Sequence, residues 1–423
     1  MKLPTRLMAR ASRWPTTSAG LLPSRLSQCW RAPVPDVPFL SDCTPLTDQQ
    51  RDLQRMVREF AAERVAPLVA EANANEKFPR EVLVEMGKLG LLGGLVPEDH
   101  GGLGLDHLTY SIVIEEMARV DHIAAVYMSM PSSLVGAGLR KYGTDEQKER
   151  WLRPLAQGEL FGAGGVTEPR SGSDVAGVTT TYCADGDAFV INGSKAWISN
   201  LDNADFIVTF ATKDKALGRK GISAFVIPVD TPGVTLKPYR DKLGFRSIST
   251  GDVFLEDVRL PADHLLGEEG QGFYIAMAAV ESGRLAVASR AVGQAHSALE
   301  DTMAYAKDRV VFGQAIAEFQ LTKAKIADMA TGVVTARLLT QAAARLMDTG
   351  DRARMQLSMA KQYASDVMQR VATEAVQVHG AYGTSPEYRV SRIYRDAKVF
   401  QLVEGANEIH RLLVADYLLG NRK

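Results

Sequence analysis

The chain has 423 residues, and its 49 basic and 50 acidic side chains leave a net charge of -1. That balance, with no Lys/Arg run interleaved with aromatics, excludes a nucleic-acid binder and points to a small-molecule partner. Three cysteines (Cys29, Cys43, Cys183) without a C-x-x-C, and seven histidines without an H-x-x-x-H pair, argue against a disulfide framework and a zinc site.

The first 35 residues stand apart. Lys2, Arg6, Arg10, Arg13, Arg25 and Arg31 occur there with four serines and no acid before Asp36, the composition of a mitochondrial import peptide. The competing reading is a disordered leader of a bacterial protein or a misplaced start codon. No apolar run approaches the roughly 20 residues of a membrane span, so the mature protein is expected to be soluble.

Thr47-Asp48-Gln49-Gln50 reads as a capping box, and Leu53, Met56, Phe60 and Val65 follow at helical spacing. Glu81–Leu92, His107–Val120 and Asp145–Leu155 also read as helical, with a turn-rich break over Pro97–Gly104. Residues 36–160 are therefore expected to form an all-α domain. From Phe161 the texture changes to short β-branched and aromatic runs, as in Phe206-Ile207-Val208-Thr209-Phe210 and Ala224-Phe225-Val226-Ile227, and 161–275 is expected to be a β domain. Asn192-Gly193 is expected to turn a hairpin there. After Gly272 the helical period returns, and residues 276–423 are expected to pack as an antiparallel four-helix bundle.

Four stretches carry chemistry. Val166-Thr167-Glu168-Pro169-Arg170-Ser171-Gly172-Ser173-Asp174 is a hydroxyl-rich, non-helical loop suited to clasping phosphate or a polar ring edge. Asn192-Gly193-Ser194-Lys195-Ala196-Trp197-Ile198-Ser199 presents an indole beside a hydroxyl, which suits a flat aromatic cofactor. Arg309 stands where a long helix ends, followed by Phe312-Gly313 and Gln320, and reads as a cap to that helix or as a phosphate ligand. Glu404-Gly405 separates two apolar-periodic helices. A carboxylate buried at such a joint gains basicity, and a helix-end or surface glutamate is the other reading. No G-x-G-x-x-G opens a helix and no Walker loop is present, so a dinucleotide would not bind in the Rossmann manner.

From about Thr47 to Leu419 these motifs, with Asp241-Lys242-Leu243-Gly244-Phe245-Arg246, resemble the acyl-CoA dehydrogenases in order and spacing, closest to the short-chain and short/branched-chain members. The resemblance implies an α+β fold: a helical domain, a barrel-like β-sheet domain and a helical bundle. It implies FAD as cofactor, with Val166, Thr167 and Ser173 at the flavin ring and pyrophosphate, and Trp197, Ile198 and Ser199 lining the flavin. Arg309, Gln320, Gln377 and Gly380 would serve the adenosine end of a neighbouring subunit's FAD in a homotetramer, and Ala406 and Glu408 would lie beside the cofactor. Glu404 would be the base. Ser173, Ser282, Arg284 and Gly405 would contact the acyl-CoA, and an electron-transfer flavoprotein would take the electrons. The expected product is the trans-2-enoyl-CoA, in fatty acid or branched-chain amino acid catabolism in the mitochondrial matrix.

Several residues depart from the family's pattern. Ala406 and Val311 stand where relatives commonly carry threonine, and Gly164 where several carry an aromatic residue. Gly283 occupies the position of the displaced base of isovaleryl-specific members, which leaves Glu404 as the base. Ala125 replaces the arginine of glutaryl-specific members, which disfavours a dicarboxylic substrate. The alternatives are an acyl-thioester oxidase, a carrier-protein-linked dehydrogenase, or a catalytically silent flavoprotein assembly factor. Chain-length preference is not legible, because one methylene is worth only about 1 to 3 kcal/mol of discrimination.

Overall fold

The computed structural model describes residues 44–421. The expected leader, with Cys29 and Cys43, lies outside the described residues. The chain opens on helix α1 (Asp48–Phe60), whose N-cap Thr47 accepts a bond from the Gln50 N–H while the Gln50 side chain accepts one from the Thr47 N–H. This is the expected capping box, and it buries Leu53, Val57 and Phe60 on one face. Helices α2 (Val69–Asn75) and α3 (Arg80–Lys88) follow. Gly90, at φ +80, ends the expected 81–92 helix early, and a 3-10 turn at Leu91–Gly93 takes over. Asp106 caps α4 (His107–Val120) and Asp121 caps α5 (His122–Ser129) through their carboxylates. Helix α6 (Gly136–Tyr142) and the short helices α7 (Asp145–Gln147) and α8 (Arg153–Gln157) complete the layer.

The β region is an eight-stranded sheet in the order β6-β7-β3-β2-β4-β5-β8, with β1 on β4. Its strands are β1 Gly162–Gly165, β2 Thr181–Asp185, β3 Ala188–Ser199, β4 Phe206–Thr212, β5 Ile222–Pro228, β6 Val234–Pro238, β7 Thr250–Pro261 and β8 Leu265–Leu266. The hairpin expected at Asn192-Gly193 is not there. The chain turns at Gly186-Asp187, and Asn192-Gly193 lies inside β3 at a shift of register against β7. Gly193 is required because a Cβ would meet Thr180 within 2.6 Å. A glycine that reads as a turn was in fact a bulge.

Five helices follow: α9 (Gly272–Asp308), α10 (Gln320–Asp348), α11 (Arg354–His379), α12 (Arg389–Phe400) and α13 (Asn407–Leu418). The first starts four residues before the expected 276 boundary. Helix α9 is about 55 Å long and buried on every face from Leu285 to Glu300. It packs against α10 and α11 on one side and α4 on the other. Gly293 makes the second contact close, since a Cβ there would come within 2.4 Å of the Glu115 carbonyl. The fourth member of the bundle is the broken pair α12 and α13, with Glu404 at the break.

The Asp241–Arg246 loop ties the three parts together. Arg246 pairs with Glu76 at 2.6 Å, the Phe245 N–H donates to Asp396 at 2.7 Å, and the Asp396 carboxylate also meets His122 at 3.0 Å.

Candidate active site

The α12–α13 joint is a fixed turn. Glu404 and Gly405 are both left-handed, at φ +53 and +97. For a glutamate this backbone costs of order 1 kcal/mol or more, so surrounding contacts must hold it. They do: Lys361 Nζ donates to the Gly405 carbonyl at 2.7 Å and to Asn407 Oδ1 at 2.9 Å, and His410 Nε2 donates to the Glu404 carbonyl at 3.2 Å. Asn407 is bound in turn to Ser365 and Asp366. Gly405 supplies the strained turn, and the polar network locks it.

The Glu404 carboxyl makes no hydrogen bond or ion pair among the described residues. Burial pushes its pKa up to about 7, against the pull of Arg290, Arg284 and Lys361. Burial likewise lowers Lys361 to about 7 and His410 to about 3, so the histidine beside the turn is neutral. Nothing among the described residues accepts the Glu404 N–H, which leaves a backbone donor beside the carboxylate. An acid poised near neutrality, next to a free N–H, can take a proton from carbon while the N–H stabilises the oxyanion that forms.

A second group of residues lies on the β domain. The bulge of β3 between Lys195 and Ile198 puts Trp197 at φ +60 and turns its ring outward, 63% exposed, against Tyr239 at 4.9 Å between centroids. The Ala196 N–H donates to the Thr167 carbonyl at 2.9 Å, which brings Val166 and Thr167 beside Trp197, Ile198 and Ser199. Ile198 turns the other way. Its side chain is buried in the core of the sheet, so only its main chain can face a cofactor. Beneath this face Lys195 and Glu168 form a fully buried ion pair at 2.7 Å, with Glu168 also receiving the Thr179 and Thr180 N–H groups. These bonds pin the loop, and a tight Glu168–Ser171 bridge leaves Ser173 exposed beyond it.

The turn between α5 and α6 joins the two groups. Leu134 fills the space beside Gly164, where a Cβ would come within 2.6 Å, which explains why no aromatic stands at that position. The Ser132 carbonyl accepts from the buried Ser282 hydroxyl at 3.3 Å, and the next residue, Gly283, touches the Glu404 carboxyl. Arg284 is half-buried, with its Nε unpartnered.

Arg309, Gln320, Gln377 and Gly380 gather elsewhere. Arg309 follows the end of α9; its N–H donates to Tyr305, so the cap is made by backbone, and its guanidinium lies over the Tyr382 ring at 5.6 Å. Gln320 opens α10, while Gln377 and Gly380 end α11, all exposed. Gln377 is about 24 Å along α11 from Lys361, so within one chain this set does not reach Glu404. Ala406 and Glu408 flank the joint, and Glu408 is exposed.

The geometry matches known proteins throughout. Three domain models of acyl-CoA dehydrogenase cover the chain: the N-terminal domain at 47–159, the middle domain at 163–258 and the C-terminal domain at 270–419.

The chain belongs to the acyl-CoA dehydrogenase family.

Among relatives, it is 40% identical over 413 residues to the human mitochondrial short-chain specific acyl-CoA dehydrogenase, covering 98% of each chain. It is 40% identical to the caffeyl-CoA reductase–Etf complex subunit CarC of Acetobacterium woodii, covering 88% of this chain and 99% of that one. Among solved structures, a glutaryl-CoA dehydrogenase of Mycobacterium smegmatis in complex with FADH2 superposes with a TM-score of 0.85 at 31% identity, covering 91% of this chain and 97% of that one. As an acyl-CoA dehydrogenase the protein is an FAD flavoprotein, and its residues fit the cofactor. The outward indole of Trp197 offers a flat apolar face, and the Thr167 and Ser173 hydroxyls make no bond within the chain among the described residues.

Sequence reasoning did not single out Lys361, His410 and Asn407 as holders of the base, nor Lys195 and Glu168 as anchors of the cofactor loop. One signal was present: Lys361 stands in the buried stripe of Ala360 and Ala364, where a lysine needs a partner.

Proposed function

We propose that this acyl-CoA dehydrogenase converts a short-chain or short branched-chain acyl-CoA to its trans-2-enoyl-CoA. The observation that carries this reading is the partly buried Glu404 carboxyl, set against Gly283 in a strained turn whose own N–H has no acceptor among the described residues. Glu404 takes the α-proton of the thioester. Its N–H, at the same turn, donates to the thioester oxygen as negative charge develops there. FAD, when bound, supplies the two-electron acceptor for the hydrogen that leaves the β-carbon. Arg284, Arg290 and Lys361 keep the site cationic, which favours the ionised form of Glu404. Short acyl substrates are favoured by the likeness to the human short-chain specific enzyme.

An electron-transfer flavoprotein is the proposed acceptor, supported by the Etf complex named for the Acetobacterium relative. A homotetramer is proposed as well. The corner that holds Arg309 and Gln320 exposes Val310, Leu321 and Phe312, the last 95% exposed at the tip of a two-residue turn. Such apolar exposure is expected of a surface that a second copy covers. The mitochondrial matrix is the proposed location, favoured by the basic, acid-free leader and by the name of the human relative. No helix among the described residues is long and apolar enough to cross a membrane.

The test is an anaerobic titration with butyryl-, isobutyryl-, 2-methylbutyryl-, isovaleryl- and octanoyl-CoA, followed by flavin absorbance. Bleaching by a short acyl-CoA supports the proposal. A protein that stays yellow with all five overturns it, and peroxide formed in air at the turnover rate would make it an oxidase.

A further inference from the structure

Two buried polar groups near Glu404 have no partner among the described residues: Nη1 of Arg290 and the hydroxyl of Tyr110. The residues are 5% and 2% exposed. Arg290 forms no ion pair among the described residues; its Nε donates weakly to the Ala286 carbonyl at 3.4 Å, and its guanidinium lies over the Phe400 ring at 5.6 Å. Tyr110, from α4, is packed so tightly that a Cβ on Gly94 would come within 2.8 Å of its ring. A buried hydroxyl without a partner is costly and a buried guanidinium without a counter-ion more so, so such a pair calls for a ligand.

Their placement identifies that ligand. Gly283, against the Glu404 carboxyl, and Arg290 are two turns apart on one face of α9, about 10 Å along the axis. Side chains on a helix lean toward its N-terminus, so Arg290 reaches back along the face that carries Glu404. Between them lies the small Ala286. An acyl chain that ran from Glu404 along this face of α9 would reach Arg290 a few carbons on. Other charged groups near this end are Glu404 itself and Arg140, whose Nη1 donates to the Leu95 carbonyl.

We infer that Arg290 and Tyr110 form a polar end to the acyl pocket that selects an acyl group bearing a hydrogen-bond-accepting oxygen beyond its β-carbon, as a ketone or a carboxylate. This rests on the reading of Glu404 as the base for a short acyl-CoA. Ala125, on α5, offers no charge for a distal oxygen; here the cation comes from α9.

The test compares three acyl-CoAs of equal shape: 4-methylpentanoyl-, 4-oxopentanoyl- and succinyl-CoA, which end in two methyls, a carbonyl with a methyl, and a carboxylate. The holoenzyme and its Arg290→Gln and Tyr110→Phe variants are assayed for anaerobic flavin reduction. In both variants the kcat/KM for at least one oxygen-ended substrate should fall about tenfold or more relative to 4-methylpentanoyl-CoA. Loss with both oxygen-ended compounds indicates a carbonyl site; loss with succinyl-CoA alone indicates a carboxylate site. If all three substrates fall together, Arg290 is only a countercharge to Glu404 and the inference is overturned. Tyr110→Phe removes one atom, so it decides the matter even where Arg290→Gln does not fold. A wild-type protein that neither butyryl-CoA nor any of the three reduces overturns the function itself. Reduction with unchanged substrate ratios in the variants overturns the inference alone.

Discussion

The Glu404 carboxyl rests on the bare Cα of Gly283: a methyl built on that glycine would come within 2.7 Å of the carboxyl carbon and 2.8 Å of both oxygens. The two residues are far apart in sequence and share one small volume. A side chain at 283 and the base at 404 cannot both keep their places. Gly283→Ala should therefore lower kcat by about a hundredfold through displacement of the base, with overpacking of roughly 1 to 3 kcal/mol in stability. Single-turnover flavin reduction and a thermal melt would check both, and an unchanged rate would show that Glu404 has room to spare.

Glu404 works as a base only when ionised. Because its pKa is raised to about 7, the wild-type kcat/KM should drop about tenfold per pH unit below that point and level off above it. Glu404→Gln should retain FAD and fold while losing about 10² to 10⁴ in turnover. A pH profile with no limb near 7, or a Gln variant as active as the parent, would remove Glu404 from the role.

Lys361 has two effects that one substitution separates. Its ammonium holds the Gly405 carbonyl and also pulls the Glu404 pKa down. Lys361→Met should lower kcat and shift the ascending limb of the pH profile to higher pH. Lys361 itself is lowered to about 7, so the wild-type limb belongs to the coupled pair. A variant that loses rate with an unmoved limb would mean that Lys361 only braces the turn.

Lys195→Met leaves the Glu168 carboxylate buried without its cation and loosens the loop that carries Thr167 and Ser173. Breaking such a pair costs about 3 to 5 kcal/mol. The purified variant should carry less FAD per chain, read from the ratio of flavin to protein absorbance. Full flavin content would argue that the loop holds its shape without the pair.

Arg119 donates to Glu116 at 2.8 Å and to Glu300 at 2.5 Å between α4 and α9, remote from the joint. Arg119→Met should destabilise the fold by about 3 to 5 kcal/mol and leave the substrate preference of the folded fraction as it was. A melting temperature unchanged from wild type would show that the remaining cations, Arg58 and Arg389, compensate.

Much of this protein is local and therefore legible in the chain. The Thr47 capping box, the stripe of Leu53 and Phe60, the alternation of the β region and the return of helical period after Gly272 follow from propensities and spacing within a few residues. The break at Glu404-Gly405, with a carboxylate among apolar neighbours, could be read the same way. Local chemistry misled where a glycine had two uses: Asn192-Gly193 reads as a turn, and only Thr180 packed against it shows why it is a bulge.

What the tertiary structure alone decided is which distant residues meet. Gly283 lies under the carboxyl of Glu404, Lys361 reaches Gly405 from another helix, the α5–α6 turn meets the β domain through Leu134 and α9 through Ser132, and Ser111 meets Ser289 across α4 and α9. Such pairs leave no periodic mark, because each depends on the crossing of two elements and not on the order of residues within either one. The base could be proposed from its own neighbours in the chain. Its raised pKa, its strained backbone and the polar end of its pocket come from side chains that only folding brings within reach.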